Sequence, residues 1–83
     1  MRYTVIMEKP AENQLVHIWY QAGDQQEVAD ASNRIERELV NDAHVKGSPL
    51  GPFRTYRDDP LEYLFHVDPG DCMVRIIWVR RTT

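Results

Sequence analysis

Residues 61–80 read Leu61-Glu62-Tyr63-Leu64-Phe65-His66-Val67-Asp68-Pro69-Gly70-Asp71-Cys72-Met73-Val74-Arg75-Ile76-Ile77-Trp78-Val79-Arg80, two β-prone runs around one turn. Leu61, Tyr63, Phe65 and Val67 recur at every second position, the spacing at which strand side chains return to one face. Asp68-Pro69-Gly70-Asp71 supplies the turn, with proline presetting one backbone angle and glycine available for the left-handed one. In the second run, Cys72, Val74, Ile76 and Trp78 form a charge-free set, whereas the alternate set of Met73, Arg75, Ile77 and Val79 contains an arginine. Strict alternation therefore sends Cys72, Val74, Ile76 and Trp78 to the core and turns Glu62, Leu64, His66 and Arg75 away from it. The stretch predicts an antiparallel hairpin with one buried and one open face.

Upstream, Phe53 to Arg57 reads as a short strand closed by Asp58-Asp59-Pro60; with Phe53 pointing inward, Arg54 and Tyr56 join the open face. Ala43 to Pro52, broken by Gly47, Ser48, Pro49, Gly51 and Pro52, reads as a mobile loop. Before it, Val28, Ala31, Ile35 and Leu39 repeat at three, four and four, a helical stripe running to about Asn41, with Asp30, Arg34, Arg37 and Glu38 on the wet flank. Asp24 with Glu27 resembles a capping box at its start, and Gly23 suits a left-handed residue closing the preceding helix. That first helix spans about Pro10 to Gln21, with a stripe of Ala11, Leu15, Ile18, Trp19 and Ala22. Arg2 to Met7 alternates as an opening strand with Tyr3, Val5 and Met7 on one side. The predicted architecture is α+β, in the order β-α-α-β-β-β: a helical hairpin covering one face of a small, mostly antiparallel four-stranded sheet. Its bare face is expected to carry Arg54, Tyr56, Glu62, His66 and Arg75.

At 83 residues the chain has room for one small domain, 1–83, and for a shallow site in place of a deep cavity. No apolar run approaches the roughly 20 residues that span a bilayer, and Glu8 and Lys9 interrupt any leader-like start, so a cytoplasmic protein with no membrane partner is expected. The single Cys72 forms no internal disulfide and reads as a small core residue. His17, His44 and His66 lack metal-ligand spacing, so neither metal nor other cofactor is expected. Residues 1–42 hold four Lys or Arg against eight acids, and residues 43–83 hold six against five. The formal net charge of −3 argues against indiscriminate nucleic-acid binding, which depends on cations displacing counterions.

The element order and several landmarks resemble the RelE/ParE superfamily of bacterial toxins from type II toxin-antitoxin systems. These landmarks are Tyr3-Thr4-Val5, the run Ala31-Ser32-Asn33-Arg34-Ile35-Glu36-Arg37-Glu38-Leu39, Pro60-Leu61, Val67-Asp68, and Val74-Arg75-Ile76-Ile77-Trp78-Val79. The resemblance covers about residues 3 to 81. It implies a cognate antitoxin as partner and one of two targets: messenger RNA on the ribosome, cleaved by RelE-like members, or DNA gyrase, on which ParE-like members act. It further implies that Lys46, Arg54 and Arg57 stand where the family places cations, and that Arg80 and Arg81 follow the last strand as its basic residues often do. Where the RNases carry a tyrosine and an arginine ahead of the third strand's hydrophobic run, this chain has Leu61 and Glu62, and no aromatic residue follows Trp78. The resemblance thus points first to a ParE-like, target-blocking toxin. A RelE-like endoribonuclease is the alternative, and a non-toxic degenerate member is a third.

RNA cleavage would need a base for the ribose 2'-hydroxyl, cations for the phosphate and an acid for the leaving oxygen. The expected catalytic set is Arg54, His66 and Arg81, with His66 as base, and the expected target-binding set is Lys46, Arg57, Arg75 and Arg80. Against it stands a plainer reading, in which His66 is a half-exposed strand residue and Glu62 pairs with an arginine across the sheet. Trp19 and Trp78, each within an apolar stripe, are expected in the core.

Overall fold

A computed structural model describes all 83 residues. The elements are β1 (Thr4–Met7), α1 (Lys9–Gln21), α2 (Gln25–Val40), a short 3-10 turn (Ala43–Val45), β2 (Ser48–Leu50), β3 (Phe53–Asp58), β4 (Leu61–Asp68) and β5 (Met73–Arg81). The sheet has five strands in the order β1-β5-β4-β3-β2; β1 lies parallel to β5, and the other neighbours are antiparallel. The helical hairpin carries the chain from β1 to β2 at the opposite edge of the sheet, and the meander through β3 and β4 returns it to lie parallel to β1 as β5. No helix is long and apolar enough to cross a membrane.

The two helices bury their stripes on one sheet face. Val28, Ala31, Ile35 and Leu39 of α2 and Ala11 and Ile18 of α1 meet Leu61, Tyr63 and Phe65 of β4 and Val74, Ile76 and Val79 of β5, all buried. Each large side chain in this set contributes about 1.5–3 kcal/mol relative to exposure. Tyr3 is buried, and Val5 and Met7 pack against the same core, as the alternation of the first strand predicts. Asp24 caps α2 by accepting the Glu27 N–H at 3.1 Å, as its spacing predicts. Inside the core, the Tyr63 hydroxyl donates to Ser32 Oγ at 2.7 Å, and burial pushes the phenol up to about 12.

Four local expectations are corrected. The segment expected to be a mobile loop contains β2, paired with β3 through Ser48–Thr55 and Leu50–Phe53. Gly47 fastens it: its φ is +65°, and a Cβ there would lie 1.8 Å from the Thr55 carbonyl oxygen, so only glycine fits. Neither Gly23 nor Gly70 takes the left-handed conformation; at the β4–β5 turn Cys72 does so instead, with φ 50°, and stands outside the strand. In β3, Tyr56 lies opposite buried Tyr63 and Arg54 opposite buried Phe65, so Arg54 and Tyr56 face the helices and Phe53, Thr55 and Arg57 face outward. Asp58, on the same inward-facing set, accepts from Arg34 of α2 at 2.8 and 2.9 Å, which anchors that phase.

The fourth correction concerns β5. Its register with β4 runs Phe65–Ile76 and then Leu64–Trp78, so Ile77 is an extra residue, a β-bulge. The bulge reverses the alternation beyond it: Val79 is 2% exposed in the core, and Trp78 is 51% exposed on the open face. Beyond Met7, which lies opposite Ile76, β5 has no β1 residue beside it, and there the Val79 N–H donates to Gln14 Oε1 of α1 at 2.8 Å. A side chain of the helix thus supplies the acceptor that a longer β1 would have given.

Candidate functional site

The uncovered sheet face is built from alternate residues of all five strands. Leu50 of β2, Thr55 of β3, Glu62 and Leu64 of β4, and Trp78 and Arg80 of β5 enclose a shallow cavity of about 230 Å³. Leu50 is 58% exposed and Trp78 51%, so the cavity has an apolar rim. Leu64 lies directly opposite Trp78, and Glu62 opposite Arg80, which places the apolar pair beside a charged one. The bulge at Ile77 is what delivers Trp78 to this face, since an unbroken strand would hold it in the core.

Every arginine on this face has a carboxylate partner. Arg80 Nε donates to Glu62 Oε1 at 2.6 Å, the cross-sheet pair that the sequence predicts for Glu62. Arg57 Nε donates to Asp59 Oδ1 at 2.9 Å, and Arg75 Nη1 lies 3.7 Å from Glu8 Oε1. These exposed pairs contribute little stability, but they neutralise the face. His66 lies opposite Arg75 and meets the Phe53 ring edge-on, with centroids 6.1 Å apart. It is a half-buried strand histidine against an aromatic neighbour.

The structure divides the expected catalytic set. His66 is on the open face. Arg54 is on the helix-facing side, where Nε donates to the Lys46 carbonyl at 2.7 Å and Nη2 to the Gly47 carbonyl at 3.3 Å. Its guanidinium thus holds the segment leading into β2. Arg81 lies opposite buried Leu61 at the far end of β4, beside Asn13, Gln14 and His17 of α1, and carries no ion pair. Of the expected target-binding set, Arg57, Arg75 and Arg80 do share the open face, whereas Lys46 is drawn to Glu38 of α2 at 2.7 Å, which raises its pKa. Sequence reasoning missed Trp78, Leu64 and Leu50 as site residues. The signal that was present is the unbroken apolar run Ile76-Ile77-Trp78-Val79, too long for strict alternation on a half-exposed strand.

No family model matches the sequence, and no curated protein matches it. Solved structures do. A chain of the toxin-antitoxin complex RelBE2 from Mycobacterium tuberculosis superposes with a TM-score of 0.81 at 19% identity, over 98% of this chain and 99% of that one. A chain of the chromosomal ParDE toxin-antitoxin system of Pseudomonas aeruginosa gives 0.73 at 17% identity, covering 99% and 98%. An arginine-to-alanine mutant of the Escherichia coli toxin RelE in the free state gives 0.66 at 15% identity, covering 98% and 84%. At these identities the likeness is one of architecture. With its helical hairpin on one face of a sheet whose parallel edge strand is β1, this chain has the RelE/ParE toxin fold.

Proposed function

We propose that this chain is the toxin-like member of a type II toxin-antitoxin pair, inhibited by a cognate antitoxin, and that it acts by occupying a macromolecular target, as ParE-type toxins act on DNA gyrase. The fold shared with RelE and ParE toxin structures supports the toxin-antitoxin assignment. The choice of blocking over cleavage rests on one observation: Arg57, Arg75 and Arg80 of the open face are each matched by a carboxylate, and the shallow cavity on that face is rimmed by Trp78 and Leu50. Phosphodiester cleavage needs unpaired cations aimed at charge that develops in the transition state. A neutral face with an exposed tryptophan suits a protein surface, where aromatic anchors in desolvated pockets dominate binding energy. The cleavage alternative requires Arg54, His66 and Arg81 to converge on one phosphate, and they lie on two sides of the sheet.

The test is induced expression with growth, transcript ends and plasmid supercoiling followed together. Growth arrest with intact transcripts and altered supercoiling is the expected outcome, abolished by Trp78→Ala and retained in His66→Ala. New cleavage sites within translated messages would overturn blocking in favour of a RelE-like ribosome-dependent endoribonuclease. Undisturbed growth would identify a non-toxic member that keeps the fold.

A further inference from the structure

A second apolar concavity lies on the helices. Leu15, Val16 and Trp19 of α1 face Val28, Ala29 and Ser32 of α2 across a groove of about 260 Å³. Its walls are open to solvent: Val16 is 58% exposed and Trp19, which the sequence places in the core, is 41% exposed. One turn along α2 from Ser32 stands Glu36, half-buried, whose carboxylate accepts from Ser32 Oγ at 3.4 Å. No cation neutralises it. Arg34 is committed to Asp58 at 2.8 Å, and Arg37, the next residue, points to a different side of the helix. Burial without a counter-charge pushes the Glu36 carboxyl above its usual range, the Ser32 hydrogen bond opposing this only in part.

A half-buried carboxylate at the end of an apolar groove asks for a cation delivered together with an apolar side chain. We propose that the α1–α2 groove is the docking site for an amphipathic helical segment of a partner protein, which seats a leucine-sized side chain against Trp19 and Val16 and brings a lysine or arginine to Glu36. Charge complementarity selects this occupant: an acidic segment would meet an unmatched carboxylate on a chain whose net charge is already −3. Helix-in-groove recognition supplies the geometry, with the apolar anchor and the cation one turn apart on the partner. If the toxin-antitoxin reading holds, this partner is the antitoxin, and its segment for this groove is basic.

The test uses the full chain and helical peptides of about 18 residues, long enough to hold a helix. One peptide is patterned from leucine and lysine, a second replaces lysine by glutamate, and a third replaces leucine by alanine. Two reporters locate the response: Trp78→Phe leaves Trp19 as the single tryptophan, and Trp19→Phe leaves Trp78. The leucine-lysine peptide should shift Trp19 emission saturably to the blue and leave Trp78 unmoved. In the Trp78→Phe background, Glu36→Gln should weaken it about tenfold, or ~1.4 kcal/mol. The other two peptides should bind at least as weakly as this variant does. Circular dichroism on Glu36→Gln confirms that the fold is intact. Equal binding of the lysine and glutamate peptides, unchanged affinity in Glu36→Gln, or a response from Trp78 in place of Trp19 would each overturn the proposal. The outcome is separable from the toxin reading, because growth arrest by a chain whose Trp19 ignores the peptide removes the groove alone, and peptide binding by a harmless chain removes the toxin alone.

Discussion

Replacing Gln14 by leucine removes the acceptor of the Val79 N–H while preserving most of the side chain's volume, and so isolates one hydrogen bond at the bulge. Leaving a buried backbone donor unpaired costs about 1–3 kcal/mol. The site is only partly buried, and water can recover some of the loss, so about 1–2 kcal/mol is expected for Gln14→Leu. For a domain of this size each kcal/mol lowers the melting temperature by roughly 4–8 °C, which places the variant about 5–15 °C below the native chain. Thermal and urea unfolding followed by tryptophan emission would measure it. Gln14→Glu is the internal control: its carboxylate still accepts from the Val79 N–H, so most of the stability should remain. An unchanged melting temperature for Gln14→Leu, or an equal loss for both variants, would refute the idea that α1 completes the unpaired edge of β5.

Deleting Ile77 should remove the bulge without exchanging the faces, since Ile76 and Trp78 already lie opposite Phe65 and Leu64; acrylamide quenching should find Trp78 still exposed, and a protected Trp78 would contradict the register. Arg54→Ala should destabilise by about 1–2 kcal/mol, because two charge-assisted bonds to the Lys46 and Gly47 carbonyls are lost, whereas an arginine free on the open face would cost about 0.5 kcal/mol at most. Chemical denaturation separates the two. Glu36→Gln should be more stable than the native chain at neutral pH. The native carboxyl titrates above its ordinary value of 4.5 when folded, so its folded form holds the proton more tightly, and stability falls as pH rises from 4.5 through the raised folded value. The difference in melting temperature should therefore be positive near pH 7 and close below about pH 4, and a difference that grows on acidification would reverse the assignment.

The open face was readable in part. Alternation within β4 and the first half of β5 places Glu62, Leu64, His66 and Arg75 on it, and the structure keeps all four there. Both failures arise where a strand's phase is not encoded in the strand itself. In β3, Phe53 and Arg57 alternate with Arg54 and Tyr56, so each face would carry one aromatic and one arginine, and the local pattern is degenerate. The decision came from outside: Tyr56 lies opposite Tyr63, and Asp58 reaches Arg34 on α2. Of the expected catalytic trio, Arg54 is separated from His66 by that phase, and Arg81 by the β5 bulge, which sets it opposite Leu61.

The sequence alone determined what short-range periodicity can specify: two amphipathic helices in tandem, the Asp24 cap and the inward set of β4. Those signals are local, because each repeats within a few residues and needs no knowledge of a neighbour. Tertiary structure alone decided that Ile77 bulges, that Trp78 faces solvent while Val79 is buried, and that Arg54 fastens a loop on the helix side. A bulge adds one residue without altering composition, and whether it forms depends on which arrangement best fills the core under α1 and satisfies the Val79 N–H through Gln14, sixty-five positions earlier in the chain.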